Sequence, residues 1–564
     1  MFQDVEFFKN KINEGGYVGL AQINPIAGNL EYNTNKIREY LSKAEEVGLD
    51  IIIFPEFALI GCEMKDFTNR FPFILDEEIK YLEKIAKLTQ RTTAVVGFVD
   101  KDNESSFAIL RWGRIDKFIK KSEYFTSKLL NDGVEYLIRP VSIPSTSHSE
   151  YYRKLYLQDL SKRTRRAVVE VNQVGAIDND SYAGLSCVYD ENGELIARAK
   201  DFSEQLLIVN PFRKIGKIYN DYFPVPPKEF TLDYDWDLER TYKTLVQGIR
   251  DYFSKCGLKR AVLGLSGGLD STVNAVLLVD ALGKENVYGV SMPSKLTSQE
   301  SKTDAEELAK NLGIGFSTHS IKPMFETTND CLGNLFNDVE KTWDGRYKES
   351  FTPDNIQARS RAIYLWGIAN EFSSCIPIAT SDKSEAYMGY ATINGDMSGG
   401  FAPILDVTKT KLFALARWIN KNRGVNNEGV NNMGVNNGVK NVIPDSVLTK
   451  RPGAELAIDP KTGKTLCAED ALMPYEFLDE IIWRIENRNE SYKDLMEAEF
   501  VYEKKNNISK EQKVEWLDKF YRRMSFALYK GYIMPPSIIV EAQNNNKTKY
   551  LQPITSSGIN YKNL

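Results

Sequence analysis

Six residues, Ser266-Gly267-Gly268-Leu269-Asp270-Ser271, constrain this chain more than any others. They stand between a short apolar run at 261–265 and a helical stretch that continues through 281. Strand, glycine turn and helix in that order make a cradle for an anion. The glycines let backbone approach a ligand closely, and the helix start aims its N–H groups at it. The hydroxyls of Ser266 and Ser271 add donors, and Asp270 is placed to hold Mg2+ against phosphate oxygens. No lysine closes the loop, so it is not the GxxxxGK[ST] loop of commoner nucleotide-binding chains. The surrounding sequence alternates: helix at 240–256, strand at 261–265, helix to 281, strand at 287–292, helices at 301–312 and 356–372, strand at 376–380. That alternation predicts an α/β architecture, a doubly wound parallel sheet with helices on both faces.

The first half reads differently, and 564 residues exceed what one core supports. Short strands are predicted at 17–23, 51–54, 93–99, 107–111, 135–141 and 167–172, with a hairpin of 185–189 and 195–199 turning at Asn192-Gly193. Periodicity disappears from about 211 to 237, where Pro224, Pro226 and Pro227 cluster. We therefore expect a first domain at 1–210, a linker at 211–236 and a second domain at 237–564. Within the second, Gly-Val-Asn-Asn recurs from Gly424, Gly429 and Gly434. Glycine and asparagine at that density favour turns, so 424–441 reads as an expanded surface loop.

Composition removes several function classes. The net charge is -5 and the basic residues are dispersed, which argues against a nucleic-acid partner. No run approaches the ~20 apolar residues of a membrane span. The opening residues carry acids and lack a signal-peptide pattern, so a cytoplasmic protein is expected. The cysteines at 62, 187, 256, 331, 375 and 467 form no CxxC pair, so neither zinc nor a disulfide framework is signalled. His148 and His319 are the sole histidines, and neither lies near a nucleophile-like turn, which excludes Ser-His-Asp chemistry. Carboxylates, lysines, backbone donors and metal are left to do the work.

The six-residue loop resembles the signature of the ATP pyrophosphatases, and the segments after it resemble one of their families, the NAD synthetases. Met292-Pro293-Ser294-Lys295-Leu296-Thr297-Ser298, Asn355 to Arg361, Thr380-Ser381-Asp382-Lys383-Ser384-Glu385, Gly395-Asp396-Met397 and Asp406-Val407-Thr408-Lys409-Thr410 follow in that family's order. The resemblance runs from about 237 to 471, with a weaker match at Pro553-Ile554-Thr555. It implies ATP, Mg2+ and deamido-NAD as ligands, an acyl adenylate, and release of AMP and pyrophosphate. Asp270 and Glu385 are then the metal candidates and Lys409 the contact to ATP phosphate. Ser266, Gly267, Gly268, Leu269, Ser271 and Thr380 would bind nucleotide. Arg359 would hold phosphate or pair with an acid, and Asp382 and Asp396 would serve deamido-NAD or ammonia. The chain departs from the family at Gly453, Leu466 and Ala468-Glu469, which puts the closing-loop contacts in question.

The first half resembles the nitrilase-type glutaminase domain, a four-layer αββα sandwich, of the longer NAD synthetases. Ala21-Gln22-Ile23-Asn24, Phe54-Pro55-Glu56 and Val171-Asn172-Gln173-Val174-Gly175 carry that likeness. Such domains use a Glu base, a Lys at the oxyanion and a Cys nucleophile. Glu56 falls at the base position and Lys120 or Lys121 at the lysine position, but residues 122–170 contain no cysteine. Cys62 and Cys187 read as small buried hydrophobes, and Ser145 or Ser147 lacks a relay. The expectation is a vestigial glutaminase site at Glu56 and Lys121, a scaffold role for this half, free ammonia as nitrogen donor, and a homo-oligomer paired through apolar faces.

Overall fold

The computed structural model describes residues 16–121, 136–226, 229–231, 235–345, 350–423, 441–453 and 467–541. The repeat at 424–440, residues 454–466 and Pro553-Ile554-Thr555 lie outside them. The chain divides into two compact units, Met1–Pro226 and Pro227–Leu564.

The first unit carries strands β1 (Val18–Gln22), β2 (Ile51–Ile53), β3 (Thr93–Val99), β4 (Ser105–Arg111), β5 (Arg114–Lys120), β6 (Leu137–Val141), β7 (Val168–Asn172), β8 (Val174–Ile177), β9 (Asp180–Ala183), β10 (Cys187–Tyr189), β11 (Leu195–Arg198) and β12 (Gln205–Val209). One sheet runs β12-β1-β2-β3-β4-β5 and a second runs β11-β10-β7-β6, with β8-β9 as a separate ribbon. β1, β2 and β3 are almost wholly apolar and buried along their length, as parallel strands covered on both faces must be. β5, at the sheet edge, is charged and largely exposed, which blunts the edge. Leu20, Ile53, Val95 and Ile109 of the first sheet pack against Ile138, Val169 and Val188 of the second. The outer face of the first sheet takes Ile37, Tyr40, Leu41 and Ala44 of helix Leu30–Val47 and Leu82 and Ile85 of helix Phe73–Ala86. The outer face of the second takes Leu157 and Leu160 of helix Ser149–Thr164. Helix, sheet, sheet, helix is the predicted four-layer αββα sandwich. Past β12, Ile215 and Ile218 still bridge back to Asn210 and Arg198.

In the second unit, β13 (Arg260–Gly264), β14 (Val287–Ser291), β15 (Gly315–Thr318) and β16 (Cys375–Pro377) form a sheet in the order β15-β14-β13-β16, every pair parallel. Ala261 and Leu263 face a core shared with helices Asp235–Lys255, Leu269–Leu282, Gln299–Leu312 and Lys409–Asn422, whereas Val262 faces Leu365 of helix Thr352–Glu371. Helices on both faces of a parallel sheet match the sequence expectation. A third cluster joins helices Tyr475–Arg488 and Lys510–Gly531 to Met388 beside helix Lys383–Tyr387. No described helix is long and apolar enough to cross a membrane.

Candidate active site

β13 has β14 on one side and β16 on the other, so the chain crosses in opposite directions from it. In such sheets the crevice beyond the strand ends at that switch point receives ligands. The turn after β13 delivers Asp270, and the turn after β16 delivers Asp382 and Glu385.

Gly267 has φ +75°, and a Cβ there would stand 2.1 Å from the Ser301 carbonyl oxygen. Only glycine fits that approach. Gly268 is the N-cap of helix Leu269–Leu282 and brings no side chain to cap it. The hydroxyls of Ser266 and Ser271 lie 3.1 Å apart and brace the loop: Gly268 N donates to Ser266 Oγ at 3.1 Å and Ser266 N to Ser271 Oγ at 3.3 Å. The Leu269 side chain is in the core, so its backbone is what it offers a ligand.

Lys409, the first residue of its helix, projects into three carboxylates. Its Nζ lies 2.6 Å from Asp270 Oδ1, 2.6 Å from Asp382 Oδ2 and 3.1 Å from Glu385 Oε1. Burial opposes its charge, but the three acids outweigh burial and hold the ammonium well above its ordinary pKa. Burial pushes the Asp382 carboxyl up to about 7 against the pull of Lys409, and raises Glu385 in the same way. Oxygens of Asp270, Asp382 and Glu385 lie within 4.8 Å of one another. An all-oxygen carboxylate set of that compactness, with more negative charge than Lys409 neutralises, fits a hard divalent cation such as Mg2+. Asp382, expected near deamido-NAD or ammonia, thus stands in the same cluster as the two metal candidates.

Motif residues to which the sequence assigned no role, and others on helix Tyr475–Arg488 that it missed, hold this cluster in place. Ser384 Oγ donates to Asp479 Oδ1 at 2.5 Å and accepts from Lys409 N at 2.8 Å, and Thr410 N donates to Asp479 Oδ2 at 2.8 Å. Burial pushes the Asp479 carboxyl up to about 6, with the Ser384 and Thr410 donors pulling it down. Buried Lys383 bridges Glu486 at 2.6 Å and Asp406 at 3.1 Å, and Tyr387 Oη adds 2.6 Å to Glu486. Lys409 Nζ sits 5.4 Å from the Tyr475 ring centroid. The sequence signal for the partners on helix Tyr475–Arg488 is no more than its amphipathic pattern.

The remaining predicted residues lie on different elements: Arg359 on helix Thr352–Glu371, Asp396 on the loop beside it and Thr380 after β16. Arg359 is exposed and its Nε donates to Ile393 O at 3.1 Å, while Thr392 N donates to Asp396 Oδ1 at 2.7 Å and Thr392 Oγ1 to Asn355 Oδ1 at 2.8 Å. Thr380 is half-buried, just past β16.

In the first unit Glu56 follows β2 and is 3% exposed. Gly97 of β3 makes room for it: a Cβ there would meet the Glu56 carbonyl oxygen at 2.0 Å. Lys121 Nζ lies 2.6 Å from Glu56 Oε1, whereas Lys120 pairs with Asp102 at 2.8 Å and Glu104 at 3.3 Å. Lys121 is therefore the lysine beside Glu56. Cys62 packs with Ile177 and Tyr182, and Cys187 is buried next to Leu157 and Leu160, where burial pushes its thiol up to about 12. Ser145 Oγ bonds Glu150 Oε1 at 3.3 Å.

The family model for NAD synthase matches residues 241–522, and that for carbon-nitrogen hydrolase matches 17–111. The glutamine-dependent NAD(+) synthetase of Synechocystis sp. is 31% identical over 546 residues, covering 86% of this chain and 90% of the relative. That of Thermotoga maritima is 33% identical over 544 residues, covering 82% and 88%. The structure of glutamine-dependent NAD+ synthetase from Acinetobacter baumannii in complex with ADP superposes with TM-score 0.66 at 26% identity, over 93% of this chain and 96% of that one. That from Cytophaga hutchinsonii shares the fold at TM-score 0.74 and 19% identity, over 96% and 98%. A carbon-nitrogen hydrolase unit followed by an NAD synthase unit, with relatives matched along nearly their whole length, places this chain in the two-domain NAD synthetase family.

Proposed function

We propose that the second unit joins ammonia to deamido-NAD at the expense of ATP, through a deamido-NAD adenylate, with release of AMP and pyrophosphate. The convergence of an uncapped glycine turn and a three-carboxylate cluster at the sheet's switch point carries this reading. The ADP in the Acinetobacter baumannii structure supports a nucleotide at the loop. In this scheme a nicotinate carboxylate oxygen attacks the α-phosphorus and its bond to pyrophosphate breaks. Ammonia nitrogen then attacks the acyl carbon, AMP departs with the C–O electrons, and the nitrogen loses a proton. Backbone N–H groups at the start of helix Leu269–Leu282 orient the phosphates, and Asp270, Asp382 and Glu385 would hold Mg2+, whose charge offsets that growing on pyrophosphate. Arg359, Asp396 and Thr380 are assigned to the dinucleotide side.

Free ammonia is the proposed donor because no cysteine occurs between Lys121 and the strand at 168–172. A second reading is favoured by the relatives' names: glutamine hydrolysis by a displaced nucleophile, for which Cys62, packed against Tyr182, is the first choice. Purified protein with ATP, Mg2+ and deamido-NAD, supplied with ammonium or glutamine and assayed for NAD and AMP, separates the two. Ammonium should support NAD formation, glutamine should give little, and Glu56→Gln should leave the ammonium rate nearly unchanged. Equal rates from glutamine, lost in Cys62→Ala, would transfer the proposal to the second reading.

We also assign a homo-oligomer. Helix Lys322–Val339 is amphipathic yet buries none of its residues, and Leu335, Trp343, Phe351 and Ile363 are each more than half exposed. Sedimentation at micromolar protein should give more than one copy; a monomer would count against the assignment.

A further inference from the structure

Lys409 is the cation the sequence offers to the phosphates, but its charge is already engaged by three acids within 3.1 Å. A nucleoside triphosphate brings several negative charges to a loop bordered by those acids. A cation less committed than Lys409 is needed at the loop's edge.

Lys450 arrives there from a different element. It directly follows helix Asp445–Thr449, and its Nζ hydrogen-bonds Ser301 Oγ. Ser301 lies in the first turn of helix Gln299–Leu312, and its carbonyl oxygen is the atom that a Cβ on Gly267 would strike. One residue therefore separates the Lys450 ammonium from the phosphate loop. Its acidic neighbour holds it loosely. Asp304 Oδ2 is 3.8 Å from Nζ, beyond hydrogen-bond reach, and that buried oxygen accepts no hydrogen bond, while Oδ1 takes Ser446 Oγ at 2.5 Å. The pair is thus an ion pair without a hydrogen bond, and the Lys450 side chain is one-fifth exposed, so its ammonium can turn toward an incoming anion.

We propose that Lys450 binds the pyrophosphate end of ATP at the Ser266–Ser271 loop and supplies the charge that Lys409 has committed to the carboxylates. This rests on the reading that the loop binds ATP. The full chain with Mg2+ is titrated calorimetrically with pyrophosphate and with AMP, and KM for ATP is measured with ammonium as nitrogen donor. Lys450→Gln should weaken pyrophosphate binding and raise KM for ATP by about ten- to a hundredfold, as expected for loss of a charge-assisted hydrogen bond. AMP binding and the thermal midpoint should hold, and Lys450→Arg should recover most of the loss. Pyrophosphate bound by Lys450→Gln as by the parent protein would overturn the assignment. So would a parallel fall in AMP binding, pyrophosphate binding and thermal midpoint, which would make Lys450 a brace for Ser301. A parent protein that binds neither ligand would instead overturn the nucleotide reading, and this inference with it.

Discussion

At the scale of single residues, the site is governed by how far burial displaces each acid and what pulls it back. Asp479 shows the sign. Its carboxyl is raised from 3.8 to about 6, so the folded state holds the proton more tightly than the unfolded one. Its contribution is full below pH 3.8 and is lost as pH rises through about 6. Asp479→Asn replaces one of the two carboxyl oxygens that accept from Ser384 Oγ and Thr410 N and should melt lower at pH 5. The gap to the parent protein should narrow by about 1–2 kcal/mol by pH 7.5, the part of the shift that lies above pH 5. Thermal melts across that range measure it, and a gap independent of pH would show that Asp479 is ionised throughout. The carboxylates around Lys409 have a chemical rather than a structural signature. Asp270→Ala and Glu385→Ala should each cut AMP formation by about 10²-fold or more, a few kcal/mol of transition-state charge stabilisation. Near-normal turnover in either variant would make that acid a structural partner of Lys409.

At the scale of elements, the turn between β13 and its following helix is the least replaceable piece. Gly267→Ala would face both a positive φ and a backbone carbonyl 2.1 Å from the new methyl group, neither of which a side-chain rotation relieves. We expect a cost of about 1–3 kcal/mol in stability and loss of measurable ATP turnover. Retention of KM for ATP within twofold would show that the turn shifts without consequence. This turn was legible in the sequence because a short apolar run, paired glycines and a helical pattern follow one another within about twenty residues. β15 was not: Gly315-Phe316-Ser317-Thr318 is an edge strand with little apolar content, and parallel pairing with β14 is what makes it a strand. The brace on Ser384 was equally hidden, because Asp479 lies 95 residues further along the chain. Motif order supplied Asp270, Glu385 and Lys409, but that Asp382 joins them follows from where β16 ends. The Lys120–Lys121 ambiguity could be settled only in three dimensions: Lys120 ends β5 and turns to Asp102, whereas Lys121, the next residue, reaches Glu56.

At the scale of the whole molecule, each unit has hydrophobic clusters of its own. The carboxylate cluster carries a counter-ion of its own in the ammonium of Lys409. Where a metal is what holds buried acids together, a chelator unravels the fold. Here a positive charge is tethered to the chain and cannot be dialysed away. The protein should therefore tolerate prolonged treatment with EDTA, its thermal midpoint moving by less than about 1 °C, while the ATP reaction stops until Mg2+ returns. Lys409→Met should reverse that behaviour: removing the cation strands buried carboxylates at a cost of about 3–5 kcal/mol, and added divalent ions should restore much of the lost melting temperature. A chelator-sensitive parent protein would show that its resting state owes its shape to an ion. A resistant one could pass through metal-starved conditions folded and idle, ready to resume once magnesium is available.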